Sequence, residues 1–204
     1  MILIKKNKEP QEWKKYRETK GVKYQSQPYL RKALYDEQGG ICAYCMKKLD
    51  DESSNNAQNR IEHIKPRSKY KELELDYSNM VLCCNGHNGN IFSCDVAKGD
   101  ELISFTPLDS RFIDTISYGS KDGVIRSSNE EWNYEINKIV RLNEGYLLDN
   151  RRAALMGFIK TIKEKNWKRS NLKNLYDMYS KKVKGKYQPY CGIILYFLKK
   201  KINR

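Results

Sequence analysis

Residues 41–100 read ICAYCMKKLDDESSNNAQNRIEHIKPRSKYKELELDYSNMVLCCNGHNGNIFSCDVAKGD. Five of the six cysteines in the chain and both of its histidines lie in this stretch, which we call the cysteine-rich stretch. It opens with a Cys-x2-Cys pair, Cys42 and Cys45, whose two thiolates can face one metal ion. The uneven spacing of the remaining cysteines favours metal binding over a framework of disulfides. The chemistry of the protein is therefore expected here.

Length and composition define the broad class. With 204 residues, 39% apolar and 31% charged, the chain can form one large or two small domains. It has no run near the ~18 apolar residues that a membrane span needs, and its start lacks the apolar region and cleavage site of a secretion signal. We therefore expect a cytoplasmic protein, in a reducing compartment, with no membrane partner.

The net charge of +14 is concentrated towards the C-terminus. Residues 159–204 contain 14 Lys and Arg against 2 Asp and Glu. This asymmetry favours a polyanionic partner, either nucleic acid or an acidic protein, over a helical surface that only faces solvent. Aromatic side chains that could stack on bases alternate with the basic ones, although aromatics at helical spacing are more often core residues. They are Trp167, Tyr176, Tyr179, Tyr187 and Tyr190.

Turn and helix signals divide the first half of the chain into short elements. Pro28 suits the first turn of a helix, which Gly39 and Gly40 would end. The apolar and polar pattern then predicts a strand at 59–64, a returning strand at 78–83 and a short helix at 95–99. A further short helix is expected at 10–19.

The second half reads as one hairpin followed by helices. Asp122 and Gly123 form a good hairpin turn, and Asn143 is a plausible N-cap for a long amphipathic helix ending near Lys165. The expected strands are 112–118, 124–127 and 136–142, and the later helices are 171–182 and 190–201. The apolar residues 193–198 either dock a partner or close the domain.

Four motifs follow one another in the cysteine-rich stretch. After Cys42 and Cys45 come Glu-His-x-x-Pro at residues 62–66, Asn-x4-Cys at 79–84, and Cys94 followed by Asp95 and Lys98. This order resembles the zinc-braced form of the HNH, or ββα-metal, endonuclease superfamily. The flanking sequences LRKALYDEQGGICAYC and VRLNEGYLLDNRR resemble the nuclease subunit of Septu-type anti-phage systems. That subunit also accompanies some retrons and works with an ABC-type ATPase.

Hydrolysis of a phosphodiester needs a base for water and a cation near the developing negative charge. His63 can supply the base, because a neutral imidazole accepts a proton near pH 7. The resemblance implies that Glu62 and Asp95 bind a catalytic Mg2+ or Mn2+ and that Asn79 fixes the loop and orients the histidine. Glu62 and His63 point to opposite faces of an ideal strand, so a distortion or the strand end at Pro66 must bring them together.

A closed structural zinc site needs four ligands. The resemblance implies Cys42, Cys45 and Cys84 as three of them, with Cys83 facing the core. The fourth is either Cys94, which we prefer because Asp95 and Lys98 follow it as in the relatives, or His87, in which case Asn88 would take the terminal metal position. Cys191 lies in an apolar run and is expected to be a buried thiol.

The sequence thus predicts an α+β protein: a zinc-braced ββα-metal core with an N-terminal helix and a helical, basic C-terminal region. The predicted parts are residues 1–40, 41–107 and 108–204. The predicted function is metal-dependent cleavage of DNA or RNA in anti-phage defence, controlled by an ATPase partner. The alternatives are a zinc-dependent nucleic-acid-binding module without catalysis, a stand-alone restriction or homing nuclease, and a stand-alone toxin. The residues expected to contact nucleic acid are Lys65, Arg67, Lys98, Lys181, Lys182, Lys184 and Lys186.

Overall fold

Two helices precede the cysteine-rich stretch in the computed structural model, which describes residues 1–54, 57–163 and 168–203. They are α1, Gln11–Arg17, and α2, Pro28–Gln38. As predicted, Pro28 lies in the first turn of α2, and Gly39 ends the helix with a φ of 62° that favours glycine. Leu30 and Leu34 of α2 are completely buried, so this helix presents one apolar face to the core.

The predicted strands form an antiparallel pair, β1, Arg60–His63, and β2, Met80–Cys83. All four residues of β2 are buried, and α2 contacts this strand. The side-chain amide of Gln38 donates to the carbonyls of Ile41 and Leu82 at 2.9 and 2.7 Å and accepts from the Leu82 N–H at 2.6 Å. These buried bonds fix the hairpin on α2, because breaking one would leave a buried polar group unsatisfied.

A short helix, α3, Cys94–Lys98, completes the ββα order that the resemblance implies. Between β2 and α3 lies an element that the sequence pattern did not predict. It is a two-stranded hairpin made of β3, His87–Asn88, and β4, Ile91–Phe92.

The predicted strand at 112–118 is wrong over its first half. Residues 110–115 form helix α4, Ser110–Thr115, and only β5, Ile116–Tyr118, pairs with β6, Ile125–Ser127. The side chain of Asp109 accepts a hydrogen bond from the Arg111 N–H at 2.9 Å and so caps α4. α4 buries only Phe112, so its few apolar residues do not distinguish a short helix from a strand.

The predicted strand at 136–142 and the N-cap at Asn143 are also wrong. Residues 130–138 are helix α5, Glu130–Lys138, whose cap Asn129 accepts from the Trp132 N–H at 3.0 Å. The long helix α6, Gly145–Lys163, begins two residues after Asn143. The Asn143 side chain instead bonds the N–H and C=O of Ile125 at 3.0 and 2.9 Å, which ties β6 to the approach to α6.

The C-terminal region is helical, as predicted, with α7, Arg169–Tyr179, and α8, Cys191–Ile202. Ile193, Ile194 and Leu198 of α8 are buried in the core. Docking of a partner through Ile193, Leu195 and Leu198 is therefore wrong for Ile193 and Leu198, which close the domain, while Leu195 is half-buried. The predicted end of α6 near Lys165 lies outside the described residues.

One hydrophobic core joins residues from before, within and after the cysteine-rich stretch, among them Trp13, Leu82 and Leu198. The α+β class is confirmed, while the division at residues 40 and 107 stays a prediction.

Among the described residues, no helix is both long enough and apolar enough to cross a membrane.

Candidate functional site

Four cysteines from three parts of the chain converge in the core. Cys42 and Cys45 lie in the turn after α2, Cys84 follows β2, and Cys94 begins α3. Their sulfur atoms all lie within 4.8 Å of one another, and the four residues are buried. His87 is exposed on β3 and is not part of this group, so the geometry favours Cys94 over His87 as the fourth ligand.

The sulfur distances fit a tetrahedral metal site. A metal with Zn–S bonds of about 2.3 Å separates its thiolates by about 3.8 Å. The Sγ distances are 3.7 Å between Cys45 and Cys84, 3.8 Å between Cys84 and Cys94, and 3.9 Å between Cys42 and Cys94. All are far longer than the ~2.05 Å of a disulfide. The cluster could therefore hold one metal ion.

Backbone strain accompanies the cluster. Cys94 and Met46 have φ values of 58° and 63°, in the left-handed region that residues other than glycine rarely adopt. Such a conformation costs of order 1–3 kcal/mol and persists only when the surroundings impose it. The positions of the cysteine sulfurs are thus held against a local backbone preference.

An open groove of about 440 Å³ lies beside the cluster, between β1 and α3. Glu62, His63 and Asp95 all line it. The alternation of a strand would separate Glu62 from His63, but His63 is the last residue of β1, and the chain leaves the sheet before Pro66. The strand end thus lets both side chains reach one groove.

The Glu62 carboxylate is buried between a cation and a phenol. Its Oε1 accepts hydrogen bonds from Lys98 Nζ at 2.9 Å and Tyr44 Oη at 2.9 Å. Burial and, after it, the neighbouring Asp95 carboxylate raise the pKa of Glu62 to about 8, although the Lys98 ammonium acts in the opposite direction. Two adjacent carboxylates repel each other when both are charged. A divalent cation bound between Glu62 and Asp95 would favour the charged form of both.

Asp95, in the first turn of α3, is paired with Arg60 of β1. The Arg60 Nε lies 2.5 Å from Asp95 Oδ2, and the Arg60 side chain is 54% exposed. Because Arg60 reaches Asp95 from the solvent side, its guanidinium can leave the carboxylate without opening the core. The Asp95 carboxylate can thus exchange Arg60 for a metal ion.

The His63 imidazole is neutral near pH 7. Burial lowers its pKa to about 4. Its Nε2 lies 3.0 Å from the Glu74 carbonyl oxygen, and a carbonyl only accepts, so Nε2 carries the proton and Nδ1 is the free base. The edge of the imidazole also contacts the Tyr24 ring at 4.6 Å between centroids, which fixes its orientation.

Asn79 fixes the loop that follows the histidine. Its Oδ1 accepts from the Lys65 N–H at 2.8 Å, and its Nδ2 donates to the Lys65 carbonyl at 3.1 Å and the Leu73 carbonyl at 3.3 Å. The Asn79 main-chain carbonyl accepts from the Ile64 N–H at 2.9 Å. Asn79 therefore holds residues 64–65, which directly follow His63. None of these hydrogen bonds is made to the imidazole itself.

The HNH endonuclease family profile matches residues 42–90. The chain contains an HNH endonuclease domain. A protein of Vibrio cholerae serotype O1 biovar El Tor, named "Retron Vc95 putative HNH endonuclease", is 25% identical over 195 residues, which cover 86% of this chain and 93% of that protein. "Septu protein PtuB" of Bacillus thuringiensis is 25% identical over 115 residues, which cover 56% of this chain and only 44% of PtuB.

The family match confirms the recognition and the enzyme class predicted from the sequence, that of an endonuclease. The match ends at residue 90, before Cys94 and Asp95. The family match therefore says nothing of these two residues, while the structure places Cys94 in the cysteine cluster and Asp95 in the lining of the groove.

Lys98 does not fit its predicted contact with nucleic acid. Its side chain is completely buried, pairs with Glu62, and donates to the His63 carbonyl at 3.3 Å. A lysine that neutralises a buried carboxylate cannot also reach a phosphate outside the protein. Through these contacts Lys98 connects the end of α3 to Glu62 and His63.

The other basic residues divide into two near the groove, where Arg67 lies over the Tyr24 ring at 4.5 Å, and four in the segment between α7 and α8. Lys65 and Arg67 are exposed near the groove, and Lys181 and Lys184 are exposed in the segment between α7 and α8. Lys182 donates to the carbonyls of Asp36 and Glu37, and Lys186 donates to Tyr35 Oη. Lys182 and Lys186 thus anchor this segment on α2. Trp167 lies outside the described residues.

Sequence reasoning missed three residues around the groove. Tyr44 bonds Glu62, Arg60 pairs with Asp95, and Tyr24 contacts His63. A tyrosine within a Cys-x2-Cys turn carries no signal for such a role. The position of Arg60, two residues before Glu62 on one strand face, could have suggested that it reaches the same groove.

The cluster geometry predicts that a Cys94→Ser variant loses tightly bound metal and much of its stability, because one thiolate ligand is removed. Cys191→Ser, which changes a buried thiol outside the cluster, should keep one metal ion per chain, as should His87→Ala. The number of metal ions per purified chain, measured by inductively coupled plasma mass spectrometry, tests this assignment of the ligands. Retention of metal by Cys94→Ser together with its loss from His87→Ala would contradict the assignment.

Proposed function

We propose that this protein is a metal-dependent HNH nuclease that hydrolyses nucleic-acid phosphodiesters. The observation that carries the proposal is that His63, Glu62 and Asp95 line one groove beside the four-cysteine cluster. A non-catalytic binding module would not need an imidazole that is neutral near pH 7 and two carboxylates in the lining of one groove.

His63 acts as the general base. Its Nδ1 takes a proton from the water that attacks phosphorus, while the bond from Nε2 to the Glu74 carbonyl stabilises the imidazolium that forms. The low pKa caused by burial keeps the imidazole unprotonated before the reaction. Asn79 contributes by holding the main chain after His63, so that the ring is presented at the strand end.

Glu62 and Asp95 are suited to a hard divalent cation, Mg2+ or Mn2+, because both offer carboxylate oxygens. Such an ion supplies positive charge to the phosphate and the leaving oxygen. Arg60, which pairs with Asp95 and is half-exposed, would be available for a phosphate once Asp95 held such an ion. Lys98 stays with Glu62, since its side chain is enclosed in the protein.

Zn2+ in the cysteine cluster has a structural role. Four thiolates leave no open coordination position for a substrate, which is the pattern of structural rather than catalytic zinc sites. Lys65 and Arg67, both exposed, are placed to hold phosphates beside the groove, and the exposed Lys181 and Lys184 are proposed as more distant contacts.

A defence role follows from the relatives. One is named for a retron and the other for a Septu system, and the first matches along 93% of its length. We propose that the chain is the nuclease of an anti-phage system and that an ABC-type ATPase controls its activity. The chain would then be inactive, or restrained, until its partner responds to infection.

We expect His63→Ala to reduce cleavage by about 10²- to 10⁴-fold, the usual contribution of a general base. Cleavage of DNA and RNA is measured with Mg2+ or Mn2+ present, beside the metal content of the cysteine cluster, which should stay unchanged. Added imidazole should restore part of the rate, because it can replace the missing ring. Full activity of His63→Ala would refute the assignment, and tight binding by a wild-type chain that never cleaves would favour a binding module.

Asp95→Asn should weaken the response to Mg2+ or Mn2+, since an amide is a poorer ligand for a hard cation. The expected result is a curve of rate against metal concentration displaced by at least about 10-fold, with the zinc content unchanged. Asp149→Asn, an exposed acid on α6 whose side chain pairs only with nearby Arg152 among the ion pairs of the described residues, is the matched control. An identical metal response in all three proteins would contradict a metal site at Asp95.

The defence proposal predicts that an ATPase gene lies beside the gene for this chain, that cells carrying both genes resist phage, and that His63→Ala removes the resistance. Plating efficiency on strains with both genes, with each gene alone and with the variant measures this. Protection by the nuclease gene alone would contradict control by a partner. Sensitivity of every strain to all phages tested would count against a defence role.

A further inference from the structure

The hairpin β3–β4 has no role in the proposed chemistry, yet it projects from the catalytic core. All six residues 87–92 are exposed, including two apolar side chains, Ile91 at 37% and Phe92 at 40%. The hairpin interrupts the chain between Cys84 and Cys94, two members of the cysteine cluster. Adjacent exposed apolar side chains on a projecting hairpin are typical of a surface that binds a partner.

The base of the hairpin is rigidly attached beside the groove. The Ser93 N–H donates to the Gly86 carbonyl at 2.8 Å, and the Ser93 hydroxyl lies 2.5 Å from that of Tyr146. A Cβ at Gly86 would come within 2.4 Å of the Ser93 carbonyl oxygen and 2.9 Å of Val96, so only glycine allows this close approach. Val96 itself lines the groove, which places the hairpin next to the site of cleavage.

The Phe92 ring is oriented as well as exposed. It lies opposite His87 in the hairpin, and the two rings meet edge to face with centroids 5.1 Å apart. Ile91 points to the other face of the ribbon, because successive strand residues alternate. Phe92 is thus a ring held in one direction by a neighbour, with much of its surface open.

We propose that the β3–β4 hairpin binds the nucleic-acid substrate by stacking Phe92 on one of its bases. The inference rests on the proposed nuclease function and concerns the same substrate. Phe92 precedes Asp95 by three residues, so their Cα atoms are at most about 10 Å apart. The hairpin is therefore joined to the groove by a short piece of backbone, so a strand whose phosphate lies in the groove has its neighbouring bases near Phe92.

The charges around the groove favour nucleic acid over a protein as the occupant of the hairpin. Arg60, Arg67 and Lys71 line the groove together with three acids, Glu62, Asp95 and Asp100, and the chain as a whole carries a net charge of +14. In the proposed function Glu62 and Asp95 face the metal ion, which leaves the basic side chains for a phosphate backbone. Once that backbone lies in the groove, its bases project to the sides, where an aromatic ring can stack on any of them. Stacking is insensitive to base identity, so the hairpin fixes the position of the strand and not its sequence.

Binding of labelled single-stranded DNA, single-stranded RNA and their duplexes tests the proposal, with His63→Ala as the parent protein to prevent cleavage. Adding Phe92→Ala should weaken binding to at least one of these by about 10-fold, within the usual range for one stacked base. Phe92→Trp should keep the affinity, whereas Phe92→Leu, which keeps apolar area and loses the ring, should not. Met156→Ala, at a residue 60% exposed on α6, is the control and should bind as the parent does.

Salt dependence distinguishes stacking from charge. Phe92→Ala should leave the slope of log affinity against log salt concentration unchanged. Arg67→Ala should make this slope less steep by about 1, the contribution of one phosphate contact. Affinity equal to the parent's in Phe92→Ala or Phe92→Leu would overturn the inference and leave the nuclease proposal intact. Retained affinity with lost binding to an ATPase partner would assign the hairpin to a protein instead, and a parent that binds no oligonucleotide would overturn both proposals.

Discussion

The convergence of four cysteine sulfurs is the constraint on which the rest of the catalytic region depends. The β1–β2 pair has four residues in each strand, and α3 has five residues. Two-stranded sheets and single-turn helices are marginal in water on their own. Cys42 and Cys45 anchor the turn after α2, Cys84 the end of β2, and Cys94 the start of α3, so one metal ion would fix all three segments. The left-handed backbone of Cys94 shows that its position is imposed from outside the residue.

The convergence of the cysteines also determines which charged side chains meet at the groove. Once α3 is held against β1, its two ends meet the strand: Asp95 meets Arg60, and Lys98 meets Glu62. One pair is buried and permanent, and the other lies at the surface and can exchange. In our proposal this difference matters, because the buried pair fixes Glu62 in place while the exposed pair releases Asp95 to a metal ion and Arg60 to a phosphate. Burial, together with the nearby Asp95 carboxylate, raises the pKa of Glu62, and a divalent cation between the two acids would favour their charged forms.

The core of the fold could be predicted because its signals are local. The spacing of Cys42 and Cys45, the Glu-His-x-x-Pro motif and the capping residues Pro28 and Gly39 each specify a short structure directly. Long-range pairings were not predictable in the same way. Asn143 looks like a helix cap in sequence but bonds Ile125, 18 residues away, and Lys98 looks like a surface lysine but is enclosed against Glu62. The β3–β4 hairpin was missed because strands of two residues show no periodicity, and α4 and α5 were missed because short amphipathic helices resemble strands in their apolar content.

Hydrogen exchange of the metal-loaded and metal-stripped protein, both with reduced thiols, tests the central claim most directly. The account predicts that removing the metal lowers amide protection in Arg60–His63, Met80–Cys83 and Cys94–Lys98, while the core of α6 and α8 keeps its protection. Loss of protection confined to the catalytic region would show that the thiolate cluster holds the groove together. Equal protection of all these segments in the two proteins would contradict the account, because the cysteines would then converge without supporting the site.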